Sequence, residues 1–274
     1  MSIRTFQITS LGNIPVQTQA DTLDKMTREL PQGFYTSFST LSQAKKVMGL
    51  RAHLQRLFIP AKQQGIAPAV RSEVLQTRIA EIVKINLPSE SRVRLILTKR
   101  DGNIYIGLEP FEALSDQVYA KGVKVITANM VRQDPRVKDT GFISSSISQR
   151  EQVGRGVFEL LLVKNGKILE GMTSNFYAIK GKTLITTQRG ILLGVTRRAV
   201  LRLARGQGMS IEYRPPKIHE KFDEAFLTSS SRGVVPIVLI DKKSVGQGSV
   251  GKWTKILSKA YQAYVEERSE EIVS

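Results

Sequence analysis

The sequence predicts a two-domain α+β protein, and three observations carry that prediction. Strand-like and helix-like stretches follow one another along the chain rather than one type dominating. The polar run "EPFEALSDQVYAKG" interrupts the pattern at residues 109–122. At 274 residues the chain is long enough for one large core or two smaller ones. Residues 1–112 are read as a small N-terminal α+β domain, 113–120 as a connector, and 121–274 as a larger C-terminal domain. A cleft between two such units is where a site is expected.

Each element has a local reason. "LRAHLQRLFIPAKQQGI" places Leu50, Leu54, Leu57 and Phe58 at helical spacing and stops near Gly65. "SEVLQTRIAEIVKINL" is a second amphipathic helix with Ser72 as its N-cap. "RVRLILTKRDGNIYIGL" is a hairpin whose two β-rich runs meet at Asp101-Gly102. Beyond the connector, "VKVITANMV" is a strand and "SSISQREQVGRG" a helix. "VFELLLVKNGKILEG" turns at Asn165-Gly166, and "SNFYAIKGKTLITT" turns around Gly181. A helix runs from about Thr196 to Ala204, and short strands lie around Ser210, Asp223–Leu227 and Val234–Ile240. "VGKWTKILSKAYQAYVEERSEE" is the last helix.

Composition narrows the chemistry. There is no cysteine, which excludes disulfides, thiolate metal sites and a cysteine nucleophile. The two histidines, His53 and His219, lack a partner at ligand spacing, so no metal site is expected. His53, inside "LRAHLQRL", reads as a surface or half-buried residue. Acid–base work therefore falls to Lys, Tyr, Asp or Glu. No apolar run approaches membrane-spanning length, and the start lacks the form of a signal peptide, so a cytoplasmic protein is expected. The net charge of +17 is compatible with nucleic acid or anionic small molecules, but the cations are scattered and no nucleic-acid motif is present. Nucleic acid is not the expected partner.

Several residues stand out, each with a plain structural alternative. A helix starting at Val195-Thr196 exposes unpaired N–H groups suited to a phosphate, although Thr196 can also be only an N-cap. Ser229, Ser230 and Ser231 follow a strand in "LTSSSRGVV", which alone is an ordinary polar loop. Arg56 can grip an anion by two parallel hydrogen bonds or simply face solvent. Glu170 sits at a strand end before Gly171, where a carboxylate can pair with a protonated ring nitrogen or merely be solvated. Lys138 follows a Pro-bearing loop and precedes a helix; otherwise it is one more exposed lysine.

Taken in order, Arg56 in "HLQRL", Lys138 in "PRVKDTGF", "LEGMTSNFYAIK", "GILLGVTRRAV" and "FLTSSSRGVVPI" form a set that resembles the class IV, fold type IV family of pyridoxal-phosphate enzymes. That family includes branched-chain aminotransferases, D-amino acid transaminases and aminodeoxychorismate lyases. The resemblance spans about residues 30 to 265, and "GFYTSFST" at Tyr35 resembles a segment of the family's small domain. It implies a two-domain fold type IV enzyme with its site between the domains. It further implies Lys138 as the Schiff-base lysine, Glu170 as the ring-nitrogen partner, and a phosphate cradle of Arg56, Val195, Thr196, Ser229 and Ser230. Thr173, Ser174, Asn175 and Leu193 match positions around the ring, while Tyr35, Lys99, Arg100 and Ser231 match the substrate side.

The implied activity is amino-group transfer between an amino acid and a 2-oxo acid, in a homodimer. The alternative is pyruvate elimination by an aminodeoxychorismate lyase. The sequence departs from the branched-chain enzymes at two places: Phe142 and Ile143 stand where they commonly carry an Asn-Tyr pair, and "TSSSRGVVP" replaces their "G-T-A-A-E-I-T-P". Arg232-Gly233 breaks the acidic pattern and is nearer in form to the lyases. Lys99-Arg100 sits where the D-amino acid transaminases place a carboxylate-trapping arginine, or else is an exposed turn.

Overall fold

Apolar residues along "GFYTSFSTL" and "SRVRLILT" bury both faces of the strands they form, and the first unit of the protein is built around them. A computed structural model describes residues 3–154 and 156–272. In chain order the elements are β1 (Arg4–Ile8), β2 (Asn13–Pro15), α1 (Leu23–Glu29), β3 (Gly33–Leu41), β4 (Lys46–Val47), α2 (Leu50–Gln63), α3 (Ser72–Lys84), β5 (Ser91–Thr98) and β6 (Ile104–Pro110). They continue with α4 (Asp116–Lys121), β7 (Val123–Asn129), α5 (Gly141–Ser145), α6 (Ile147–Arg150), β8 (Glu159–Lys164), β9 (Lys167–Gly171), β10 (Asn175–Lys180) and β11 (Thr183–Thr186). The order closes with α7 (Val195–Gly206), β12 (Ser210–Tyr213), β13 (Glu224–Ser229), β14 (Gly233–Ile240), β15 (Lys243–Ser244), α8 (Lys252–Arg268) and β16 (Glu270–Glu271).

Two compact units result: Met1–Glu112 with Val137–Ser145 and Arg268–Ser274, and Ala113–Arg136 with Ser146–Glu267. The first holds a seven-stranded sheet in the order β16-β4-β3-β5-β6-β1-β2. Period-two alternation sends Phe34, Leu95 and Leu97 to one face, under Leu54 and Leu57 of α2 and Leu75 and Ile79 of α3. Tyr35 and Ile96 point to the other face, against Leu23 and Met26 of α1 and Ile143 of α5.

The second unit holds a nine-stranded sheet in the order β12-β11-β10-β13-β14-β7-β8-β9, with β15 on β14. Tyr177, Ile179, Phe226 and Val234 pack under Ala199, Val200 and Ala204 of α7 and Leu257 and Tyr261 of α8. The opposite face gathers Val125, Leu161, Phe176, Ile185, Leu227 and Val235 into one cluster. Strands from most of the sheet's order contribute to that cluster.

Several sequence expectations change here. The stretch read as a connector contains α4, whose Val118 and Tyr119 pack against the second core. Ser72 is the first helical residue and Arg71 the N-cap, with no side-chain capping bond. In "SSISQREQVGRG" the helix covers only Ile147–Arg150, and Arg155 lies outside the described residues. The last helix ends at Arg268, because Glu270–Glu271 turns back to pair with β4. Val137–Ser145, assigned from sequence to the second domain, belongs to the first unit. β7 and β8 are parallel neighbours, so the chain between them must make a long crossover, and this segment is its middle.

Candidate active site

Residues 138–140 lie along the edge of β3. The Tyr35 N–H donates to the Lys138 carbonyl at 2.8 Å, and the Thr140 N–H donates to the Gly33 carbonyl at 2.9 Å. The Gly33 N–H in turn donates to Thr140 Oγ1 at 2.9 Å. With the backbone around it held in this way, Lys138 places Nζ 4.5 Å from the centroid of the Tyr35 ring, a cation–π distance. The next residue, Asp139, pairs with Lys99, and Lys99 also lies over the Phe34 ring at 5.3 Å. Arg100 is exposed in the turn between β5 and β6.

His53 corrects the sequence expectation: it is fully buried, not at the surface. Its Nδ1 lies 2.7 Å from Thr36 Oγ1, and Nε2 has no hydrogen-bond partner among the described residues. Burial pulls its pKa down to about 3, and the positive charges of Arg56 and Lys138 add to the effect. Arg56, half-buried about one turn beyond His53 on α2, and Lys138 thus bear on the same neutral imidazole.

In the second unit Glu170 is 2% exposed and held at both oxygens. Arg132 Nε donates to Oε1 at 2.9 Å, and the Leu192 N–H donates to Oε2 at 3.1 Å. Arg132 is also buried and donates from Nη2 to the Met172 carbonyl at 2.7 Å. Sequence reasoning misses this arginine. Among 41 lysines and arginines, nothing in "MVRQDPRVKD" marks it as one of those turned inward. Position 171 is glycine because a Cβ there would stand 2.1 Å from Ser174 Oγ.

Asn175 works on the approach to α7. Its Nδ2 donates to the Leu192 carbonyl at 2.7 Å, and its Oδ1 accepts from the Gly194 N–H at 3.1 Å. Gly194 is the N-cap of α7 and offers no side-chain capping bond, so the first N–H groups, Val195 and Thr196 included, keep their donor capacity. Thr196 is buried with Oγ1 3.2 Å from the Tyr261 hydroxyl, and burial pushes the pKa of that phenol up, keeping it neutral. Gly233, at the end of the serine loop, lies against the same tyrosine ring, with a Cβ position 3.3 Å from Tyr261 Cδ1. The start of α7 and the loop bearing Ser229, Ser230 and Ser231 are therefore brought to one side chain. Leu193 is 47% exposed and presents no polar side-chain atom.

Among the described residues no group of three or more His, Cys, Asp or Glu could hold a metal ion, and no helix is long and apolar enough to cross a membrane. The donor chemistry of the second unit fits a pyridine ring with a phosphate tail. A buried carboxylate, which can only accept, suits a protonated ring nitrogen, and a helix N-terminus without a side-chain cap suits the phosphate.

The chain belongs to the class IV aminotransferases, a pyridoxal-phosphate-dependent family whose sequence pattern matches residues 33–240. It is an aminotransferase. Among its relatives, the D-alanine aminotransferase of Bacillus licheniformis is 28% identical over 240 residues, covering 78% of this chain and 81% of that one. The branched-chain-amino-acid aminotransferase of Pseudomonas aeruginosa is 27% identical over 250 residues, covering 83% and 81%. The fold matches that of the branched-chain amino acid aminotransferase from Escherichia coli, with a TM-score of 0.76 at 18% identity and 96% and 94% of the two chains covered.

Proposed function

We propose that Lys138 and Glu170 serve one pyridoxal phosphate in the transfer of an amino group from an amino acid to a 2-oxo acid. When bound, the cofactor supplies a carbonyl carbon that takes the amino group and a ring that withdraws electrons from the substrate's α-carbon. Lys138 Nζ would hold the cofactor and would be the base that takes the proton from the substrate's α-carbon. Glu170 keeps the ring nitrogen protonated. Val195 and Thr196 at the start of α7, with Ser229, Ser230 and Arg56, hold the phosphate. Asn175 orients the segment through Leu193 that leads into α7, and Thr173 and Ser174 border the ring. Tyr35, Arg100 and Ser231 are placed on the substrate side, with Lys99 committed to Asp139. The observation that carries this reading is Glu170: a carboxylate 2% exposed, with a donor on each oxygen, is built to stay charged where water does not reach.

We also propose a homodimer, from the family resemblance alone, and a cytoplasmic location, from the composition of the chain; light scattering and cell fractionation test them.

Borohydride reduction of the purified protein followed by peptide mapping tests the lysine. The cofactor is expected on the peptide containing Lys138, and an adduct on another lysine sinks the assignment. A panel of L- and D-amino acids with 2-oxoglutarate and pyruvate, run beside an aminodeoxychorismate assay, tests the reaction. Pyruvate release from aminodeoxychorismate without any amino-acid half-reaction would instead establish the lyase.

A further inference from the structure

Glu159, the first residue of β8, is 2% exposed and gathers donors from two loops. Its Oε1 accepts from the Thr173 N–H at 2.6 Å, from Thr173 Oγ1 at 3.0 Å and from Ser174 Oγ at 3.0 Å. Its Oε2 accepts from Arg232 Nη2 at 2.8 Å. Arg232 reaches further: Nη2 also donates to Thr173 Oγ1 at 2.5 Å, and Nε donates to Ser229 Oγ at 3.1 Å. The guanidinium lies over the Phe158 ring, 5.1 Å from its centroid, which leaves it little room to turn.

The direction of each proton follows from chemistry. An ionised carboxylate only accepts and a guanidinium only donates, whereas a hydroxyl has one proton to give. The Thr173 and Ser174 hydroxyl protons are therefore committed to Glu159, as is the Thr173 N–H. Ser229 Oγ is in the opposite position. It accepts from Arg232, and its own proton goes to no acceptor among the described residues. A hydroxyl fixed as an acceptor on one side presents its proton on the other, which is what an anion needs.

We propose that Arg232 is a positioning residue for the phosphate cradle: it turns Ser229 into a dedicated donor toward the phosphate of pyridoxal phosphate, while Glu159 removes the side-chain protons of Thr173 and Ser174 from the cofactor's donor set. The proposal rests on the reading that Ser229 belongs to the cradle. It also gives the Arg-Gly that breaks the acidic loop pattern a job, since its guanidinium ties the serine loop to the first residue of β8.

The test is a double-mutant cycle on the holoenzyme, with the dissociation constant of pyridoxal phosphate measured by equilibrium dialysis and pyridoxal, which lacks the phosphate, as the comparison. Ser229→Ala is expected to weaken pyridoxal phosphate about tenfold, the loss of one charge-assisted bond, with pyridoxal unchanged. Arg232→Met should match that loss, and the double variant should be no weaker than the poorer single one, because both changes remove the same interaction. Arg232→Lys keeps a cation for Glu159 but lacks Nε, so it should bind as weakly as Arg232→Met and serves where the methionine variant folds poorly. If Ser229→Ala weakens binding while Arg232→Lys binds as the parent does, or if the two losses add, Arg232 does not act through Ser229 and the inference is overturned. If Ser229→Ala leaves the affinity for pyridoxal phosphate intact, the cradle reading itself fails, and the inference with it.

Discussion

The His53 imidazole is neutral in the folded protein because burial strips away the water that would stabilise its charge, while Arg56 and Lys138 oppose it. Between pH 6.5 and about 3 the unfolded chain binds a proton at this position and the folded protein does not. Stability linked to His53 is therefore full above pH 6.5 and is lost as pH falls toward 3. Chemical denaturation should show the protein losing about 2 kcal/mol from this residue between pH 7 and pH 5. His53→Gln should flatten that part of the slope, and an unchanged slope would show that the histidine does not carry it. At the same scale, Lys99 and Arg100 separate. Lys99 is committed to Asp139, next to Lys138, whereas Arg100 is exposed in its turn. Arg100→Ala is expected to raise KM for the amino acid, with roughly ten- to a hundredfold loss in kcat/KM and cofactor affinity unchanged. Lys99→Ala should instead leave KM for the amino acid close to the parent's, since Lys99 is committed to Asp139. Equal kinetics in Arg100→Ala and the parent would return Arg100 to the solvated surface. The residue types at the candidate site are legible in the sequence, but their burial is not. Glu170 reads like any acid before a turn, and Arg132 like any surface cation, because a buried ion pair between residues 38 apart leaves no local pattern.

The N-terminus of α7 depends on a close approach that a single methyl group would spoil. A Cβ at position 194 would stand 2.3 Å from Asn175 Oδ1, the atom that accepts the Gly194 N–H. Gly194→Ala is therefore expected to push the segment off Asn175, costing about 1–3 kcal/mol of local packing. Retention of pyridoxal phosphate on dialysis should fall about tenfold or more in this variant. A variant that keeps the cofactor as the parent does would remove the α7 N-terminus from the cradle. Hairpins such as β8–β9 and β10–β11 are legible because Asn165-Gly166 and Gly181 sit between β-rich runs. The two-residue strands β4 and β16 are not, since their pairing joins segments far apart in the chain. α4 is hidden in a polar stretch, where only Val118 and Tyr119 reveal a packed side.

At the scale of the whole molecule, burial leaves the +17 charge as it is: among the described residues three arginines, Arg94, Arg132 and Arg197, are buried, as are three glutamates. Glu159, Glu170 and Glu224 are all buried. Glu224 caps the start of α8, accepting from the Trp253 N–H at 2.9 Å and the Thr254 N–H at 2.7 Å. The cations, by contrast, are spread along the chain rather than gathered in one run. DNA or RNA is expected to bind only weakly to such a dispersed surface, with affinity collapsing as salt rises. Tight, sequence-selective binding at physiological salt would require a second function. The sequence by itself determined the longer helices α2, α3, α7 and α8, the hairpin turns, the exclusion of cysteine chemistry and, through ordered motifs, the class IV aminotransferase family. Those properties are local: periodicity, turn residues and motif spacing are set within a few residues of one another. Only the tertiary structure decided that residues 137–145 leave the second unit for the edge of β3, that His53 is buried and neutral, and that Arg132 and Arg232 turn inward to hold Glu170 and Glu159. Those outcomes depend on which distant segments meet, and a charged side chain becomes an interior one only when a partner from elsewhere in the chain offsets its lost hydration.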